Sequence, residues 1–129
     1  MTPGKMLPAN VAVLKARFPA VLRKIVETGD RMPDSFHYST EDGVERLMMQ
    51  RGENSFCPYG NHNPRMLIKR WFDNLRLVGE SLYAITGFGD GSHLKHFLQE
   101  SGTGINFLAA EKDPALIRET LARFDLSDL

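Results

Sequence analysis

The densest chemistry in the chain lies at Gly87-Phe88-Gly89-Asp90-Gly91, followed at once by Ser92 and His93. A bound phosphate needs main-chain N–H groups at close range and the positive end of a helix dipole. Glycines let the chain turn sharply there and remove side chains that would block approach. The loop follows a strand-like run at residues 81–86 and precedes a helical spacing, which is the setting in which such loops hold nucleotides. Glu111 stands twenty residues after Gly91, at the end of the next strand-like run, where a carboxylate can accept hydrogen bonds from ribose hydroxyls. The expected binding set is Gly87, Gly89, Asp90, Gly91, His93 and Glu111, and the expected ligand is a nucleotide-type small molecule.

The spacing is G-x-G-x-G and not G-x-G-x-x-G, because the sixth position is Ser92. That leans towards the looser loops of methyltransferases and related folds. Ile85, however, occupies the place two before the first glycine, where an S-adenosylmethionine enzyme often carries an acid. Asp90 would repel a phosphate unless it points to solvent, binds a metal ion or meets a sugar hydroxyl. His93, in the first helical turn, could approach a phosphate or act as an acid. A glycine-rich turn can also be nothing more than a tight chain reversal.

Other candidates are weaker. His93 and His96 share a helix face, but no Cys-x-x-Cys or His-Glu-x-x-His spacing accompanies them, and no metal is expected. Cys57 near His62 is a conceivable nucleophile, but a buried or incidental thiol is the plainer reading. Tyr59, His62 and Asn63 could border a cleft or simply lead into a helix. Trp71 and Phe72 fall in an apolar stripe and read as core. No catalytic residue can be assigned.

The elements that must position these residues follow from periodicity. Asn10 reads as an N-cap, with Val11, Leu14, Phe18, Val21, Leu22 and Ile25 on one helical face, Pro19 interrupting and Gly29 stopping the run. Phe36 and Tyr38 alternate with polar residues, Asp42-Gly43 suits a hairpin turn, and residues 44–49 return as a strand, with a further short strand near Phe56. Asn63-Pro64 starts a helix predicted to end near Val78 and Gly79. After the first strand-like run and the loop, Ser92 is expected to cap a helix carrying Leu94, Phe97 and Leu98. A buried strand at 105–110 and a helix opened by Asp113-Pro114 complete the chain.

Strand, loop, helix, strand, helix implies parallel strands. The expected fold is α/β: a small N-terminal α+β region over 1–62, then over 63–129 the first β-α-β-α half of a Rossmann-like parallel sheet. Two parallel strands need neighbours. The chain is therefore expected to be part of a longer protein, to pair with another copy as a homo-oligomer, or to recruit its N-terminal strands into the same sheet.

The totals exclude several classes. Across 129 residues, sixteen basic residues balance sixteen acidic ones, so no net field draws in nucleic acid or an anionic membrane. One cysteine precludes an internal disulfide and suits a cytoplasmic setting. No signal peptide is visible, and no apolar run approaches the ~20 residues needed to cross a bilayer.

Residues 87–94, the run Ala110-Glu111-Lys112-Asp113-Pro114 and the closing Phe124-Asp125-Leu126-Ser127 carry a family resemblance, joined upstream by 38–43 and 59–64. The chain resembles the motility-accessory-factor family of flagellin glycosyltransferases, which share a domain with archaeal 6-hydroxymethylpterin diphosphokinase MptE-like proteins. Asp90 stands where the family more commonly has an apolar residue, and Ser92 where it has an aromatic one. The resemblance implies the N-terminal portion of a nucleotide-dependent, glycosyltransferase-like enzyme, inactive alone. Its nucleotide would be a CMP-activated sugar, or ATP as in the diphosphokinase-like relatives, and its acceptor a flagellin-like protein. The residues themselves leave open a non-catalytic interaction or oligomerisation module and a methyltransferase-like fold.

Overall fold

The computed structural model describes residues 4–34, 36–41, 43–58, 64–102 and 105–128. The chain begins with two short helices, α1 (Pro8–Arg17) and α2 (Pro19–Glu27), each with proline at its start, where the missing N–H costs nothing. Pro19 cannot donate into the preceding turn, and Phe18 leaves the helical region at φ −133°, so one apolar run becomes two helices. Asn10 is not the expected N-cap. Pro8 starts the helix earlier, and the Asn10 side chain turns inward to 2% exposure. Gly29 ends α2 at φ +54°, as expected from its place in the sequence.

Strands β1 (Phe36–Glu41), β2 (Val44–Arg51) and β3 (Asn54–Phe56) form an antiparallel sheet in the order β1-β2-β3. Phe36 faces Met49 and Glu41 faces Val44, a register that leaves two residues for the hairpin turn, of which Asp42 lies outside the described residues. Helix α3 (Pro64–Asn74) stops short of the predicted end near Val78. The Leu75 amide closes a tighter turn onto Phe72, and the Val78 amide donates to the Tyr83 hydroxyl at 2.6 Å instead of continuing the helix. The expected cap at Asn63 also lies outside the described residues.

Strands β4 (Ser81–Thr86) and β5 (Ile105–Ala110) are parallel, in register from Ser81 opposite Ile105 to Thr86 opposite Ala110. Helix α4 (Ser92–Glu100) joins them and α5 (Pro114–Arg123) follows. The two sheets are separate, so the N-terminal strands do not complete the parallel pair. β5 is less buried than predicted: burial alternates along both strands, with Tyr83, Ile85, Phe107 and Ala109 partly covered, while Leu82 and Leu108 on the opposite face are 71% and 58% exposed. Among the described residues the helices cover one face only.

The core crosses the 62/63 boundary expected from the sequence, joining Leu14 and Ile25 to Phe88, Leu94, Leu121 and Leu126. Phe97 packs edge-on against Phe107 at 4.8 Å and Phe72 at 5.8 Å between ring centroids, which places Phe72, with Trp71 beside Phe97, in the packing under the sheet. Asn10 ties the two halves through main-chain groups. Its Nδ2 donates to the carbonyls of Leu121 and Phe124, and its Oδ1 accepts from the Leu126 amide. A buried charge cluster on α5 adds a second tie. Glu119, 1% exposed, accepts from the Gly4 amide, Arg118 and Arg123. Arg118 also donates to Thr28 Oγ1 and to the carbonyls of Gly29 and Arg31, and Arg123 forks onto Glu45 while lying 3.5 Å above the Tyr38 ring.

Candidate functional site

The loop between Thr86 and Ser92 turns through three left-handed glycines, with φ +85° at Gly87, +49° at Gly89 and +82° at Gly91. Phe88 is anchored in the core at 7% exposure. Gly91 sits so close to α5 that an added Cβ would fall 2.3 Å from Thr120 Cγ2. The loop is therefore seated from both sides, and its glycines are required by backbone conformation and, at Gly91, by contact.

Most of its amides are engaged within the fold. Gly87 N–H donates to the Ala110 carbonyl at 2.8 Å, Phe88 N–H to Glu111 Oε2 at 3.0 Å and Gly91 N–H to the Phe88 carbonyl at 2.7 Å. Ser92 N–H donates to Asp90 Oδ1 at 3.0 Å, and the Ser92 hydroxyl donates to the same oxygen. The Gly89 amide has no hydrogen-bond partner among the described residues. Ser92 was expected as the cap of α4. It is instead the first helical residue, because the left-handed turn at Gly91 swings the Asp90 carboxylate over the opening of the helix. That carboxylate lies where an incoming anion would benefit from the helix dipole.

Glu111 bridges the two strand ends. Oε2 accepts from Phe88 and Oε1 accepts from the Asp113 amide at 2.9 Å. Each carboxylate oxygen can accept twice, so the side chain is fixed yet keeps capacity for two further donors, such as the vicinal hydroxyls of a ribose. Asp113 caps α5 through the Ala115 amide at 3.0 Å, as its Asp-Pro sequence predicted. It also accepts from Arg31 at 2.8 Å and from the Asp34 amide at 3.0 Å. Burial pushes the Asp113 pKa up, but Arg31 and the two amides outweigh it and hold the carboxyl below its ordinary value. Arg31 and Asp34 carried no motif signal, and only tertiary contact brings them to the rim.

His93 turns towards the loop. Nε2 lies 3.2 Å from the Gly87 carbonyl, which can only accept, so Nε2 carries the proton. Burial lowers its pKa against the opposing pulls of that bond and of Asp90. Its edge meets Trp71 at 5.9 Å, whereas His96 meets Phe72 at 5.1 Å, so each histidine is held by its own aromatic partner. Among the described residues no group of three or more His, Cys, Asp or Glu side chains is placed to hold a metal ion. Cys57 is half-buried, and Tyr59, His62 and Asn63 lie outside the described residues.

Two cavities flank the loop. One, of about 390 Å³, lies on the β4 side and is lined by Leu67, Ile68, Trp71, Ile85, Thr86 and His93. The other, of about 380 Å³, lies on the β5 side, where Phe88 and Glu111 meet Phe18 and Phe107. No described helix is long and apolar enough to cross a membrane. Compared with known proteins, the chain matches no family model, no curated protein and no solved structure.

Proposed function

We propose that the carboxyl ends of β4 and β5 bind the sugar–phosphate part of a nucleotide derivative, on a Rossmann-like half-sheet, within a nucleotide-dependent and glycosyltransferase-like transferase. The observation that carries the reading is Glu111. It sits at the end of the second parallel strand, pinned by amides from the glycine loop and from the α5 turn, with accepting capacity left on each oxygen. In this reading Glu111 accepts from the ribose hydroxyls, the Gly89 amide donates to phosphate, and Asp90 releases Ser92 as the anion arrives. A CMP-activated sugar or ATP as the nucleotide, and a flagellin-like acceptor, rest on the family resemblance alone. His93 is engaged by the Gly87 carbonyl and no catalytic residue is assigned, so the isolated chain is expected to bind without turnover.

Thermal-shift titration with CMP, ATP and S-adenosylmethionine tests the reading. A ligand that binds only the folded chain stabilises it by about 2.7 kcal/mol at a hundred times its Kd. CMP or ATP should raise Tm, and Gly89→Val, which forces a β-branched residue to positive φ, should abolish the rise. A response to S-adenosylmethionine alone would move the chain to the methyltransferase class.

The engaged amides and the Asp90 carboxylate favour a second reading, in which the loop is a structural turn and the chain a non-catalytic interaction or oligomerisation module. No shift with any of the three ligands would select it.

A further inference from the structure

The cavity on the β5 side has walls that sort ligands by polarity. Val13 and Phe18 from the helical pair, Val21 from α2, Phe107 from β5 and Phe88 from the loop are all apolar. Asn10 also borders it, but each polar atom of its side chain is already bonded to main-chain groups of residues 121–126. Glu111 borders the same space, with its carboxylate held in place. The volume falls within the range of about 300–1,000 Å³ typical of small-molecule sites. The mouth is open to solvent, since Phe18 is 39% and Leu108 58% exposed.

Among the described residues Arg17 is the one cationic side chain in the lining, exposed and with its guanidinium carbon 5.4 Å from the Phe18 ring centroid. A sugar or a phosphate placed among the apolar walls away from it would lose water and find few donors. A nucleobase would not, because its two faces are apolar and stack on aromatic side chains, while its polar edge can stay at the mouth. The cavity on the other side of the loop offers no carboxylate to a ribose among its lining residues.

We infer that the β5-side cavity receives the nucleobase, with the ribose at Glu111 and the phosphate passing outward to Gly89. This placement rests on the nucleotide-binding reading above and adds the side of the loop that the nucleoside occupies and the residues that set its affinity. Val13, Phe18 and Val21, outside the strand–loop–helix unit, then determine specificity.

Isothermal titration of the whole chain with AMP, CMP and ribose 5-phosphate decides it. At least one of the two nucleotides should bind about tenfold or more tighter than ribose 5-phosphate, the advantage expected from stacking one base. Val13→Phe, which narrows the cavity from α1 and leaves the loop and Glu111 unsubstituted, should remove that advantage and leave ribose 5-phosphate binding unchanged. Val21→Phe serves if Val13→Phe does not fold, and the comparison on the unmodified chain needs neither. Equal affinity for all three compounds, or an advantage that survives the narrowed cavity, overturns the base placement while the nucleotide reading stands. Failure of all three to bind sinks both.

Discussion

Gly91→Ala measures how firmly the glycine loop is seated on α5. Two costs can be separated. At φ +82° any L-residue is strained, by about 1–2 kcal/mol. The new Cβ would also lie 2.3 Å from Thr120 Cγ2 and 3.1 Å from Phe124 Cδ2, and Thr120 is fully buried and cannot swing away. Overpacking of that kind costs about 1–3 kcal/mol, so the total is roughly 2–5 kcal/mol, a large share of an ordinary domain's stability. Gly87→Ala is the internal control, since its φ is +85° but nothing lies within 4 Å of the added carbon. It should carry the strain alone. Thr120→Ser removes the nearest methyl, so in the double variant most of the packing part returns, while the strain and the 3.1 Å approach to Phe124 remain. Urea unfolding of the four chains gives a coupling energy, expected at about 1–3 kcal/mol in favour of the double variant. A Gly91→Ala cost no larger than that of Gly87→Ala, or coupling near zero, would mean that the loop does not rest on α5.

Two further outcomes follow from buried polar groups. Asn10→Ala leaves the Phe124 carbonyl and the Leu126 amide without their partner, while the Leu121 carbonyl keeps the Leu7 amide, so a loss of about 2–4 kcal/mol at unchanged m-value is expected in urea, and a loss below ~1 kcal/mol would contradict the assignment. Burial pushes the Glu119 pKa up, but the Gly4 amide, Arg123 and Arg118 outweigh it and hold the carboxyl below its ordinary 4.5. Its stabilisation is therefore complete above that value and drains away as pH falls through the lower native one, because the unfolded chain takes up the proton first. Glu119→Gln should be less stable at neutral pH and show a shallower acid slope in urea unfolding, with the remaining slope carried by Asp113 and Asp125, also depressed; an unchanged slope would remove Glu119 from the account.

Features decided within a few residues were legible in the sequence. The strands 81–86 and 105–110, the glycine loop between them and the Asp113-Pro114 helix start all depend on local backbone preferences. Asn10 shows the limit of that reasoning. It has the right chemistry for a cap, but Pro8 starts the helix and contacts more than a hundred residues away in sequence decide where the side chain goes. The interior of the site was hidden for a similar reason. The residue types at 90 and 111 were identified, but their engagement with Ser92, Phe88 and Asp113 depends on how the backbone turns at Gly91 and where β5 ends. The charge cluster on α5 left only a faint trace, a Glu119/Arg123 pair at helical spacing that would ordinarily read as a solvated face.

Asp90 gives the loop a resident counter-ion. An anionic ligand arriving at the head of α4 would enter by exchange, one negative group displacing another, and not by filling an electrically bare cradle. The attraction gained from the dipole would then be largely cancelled by the attraction given up. Discrimination between ligands would pass to their uncharged parts, and binding would respond less to ionic strength than at a loop without its own carboxylate.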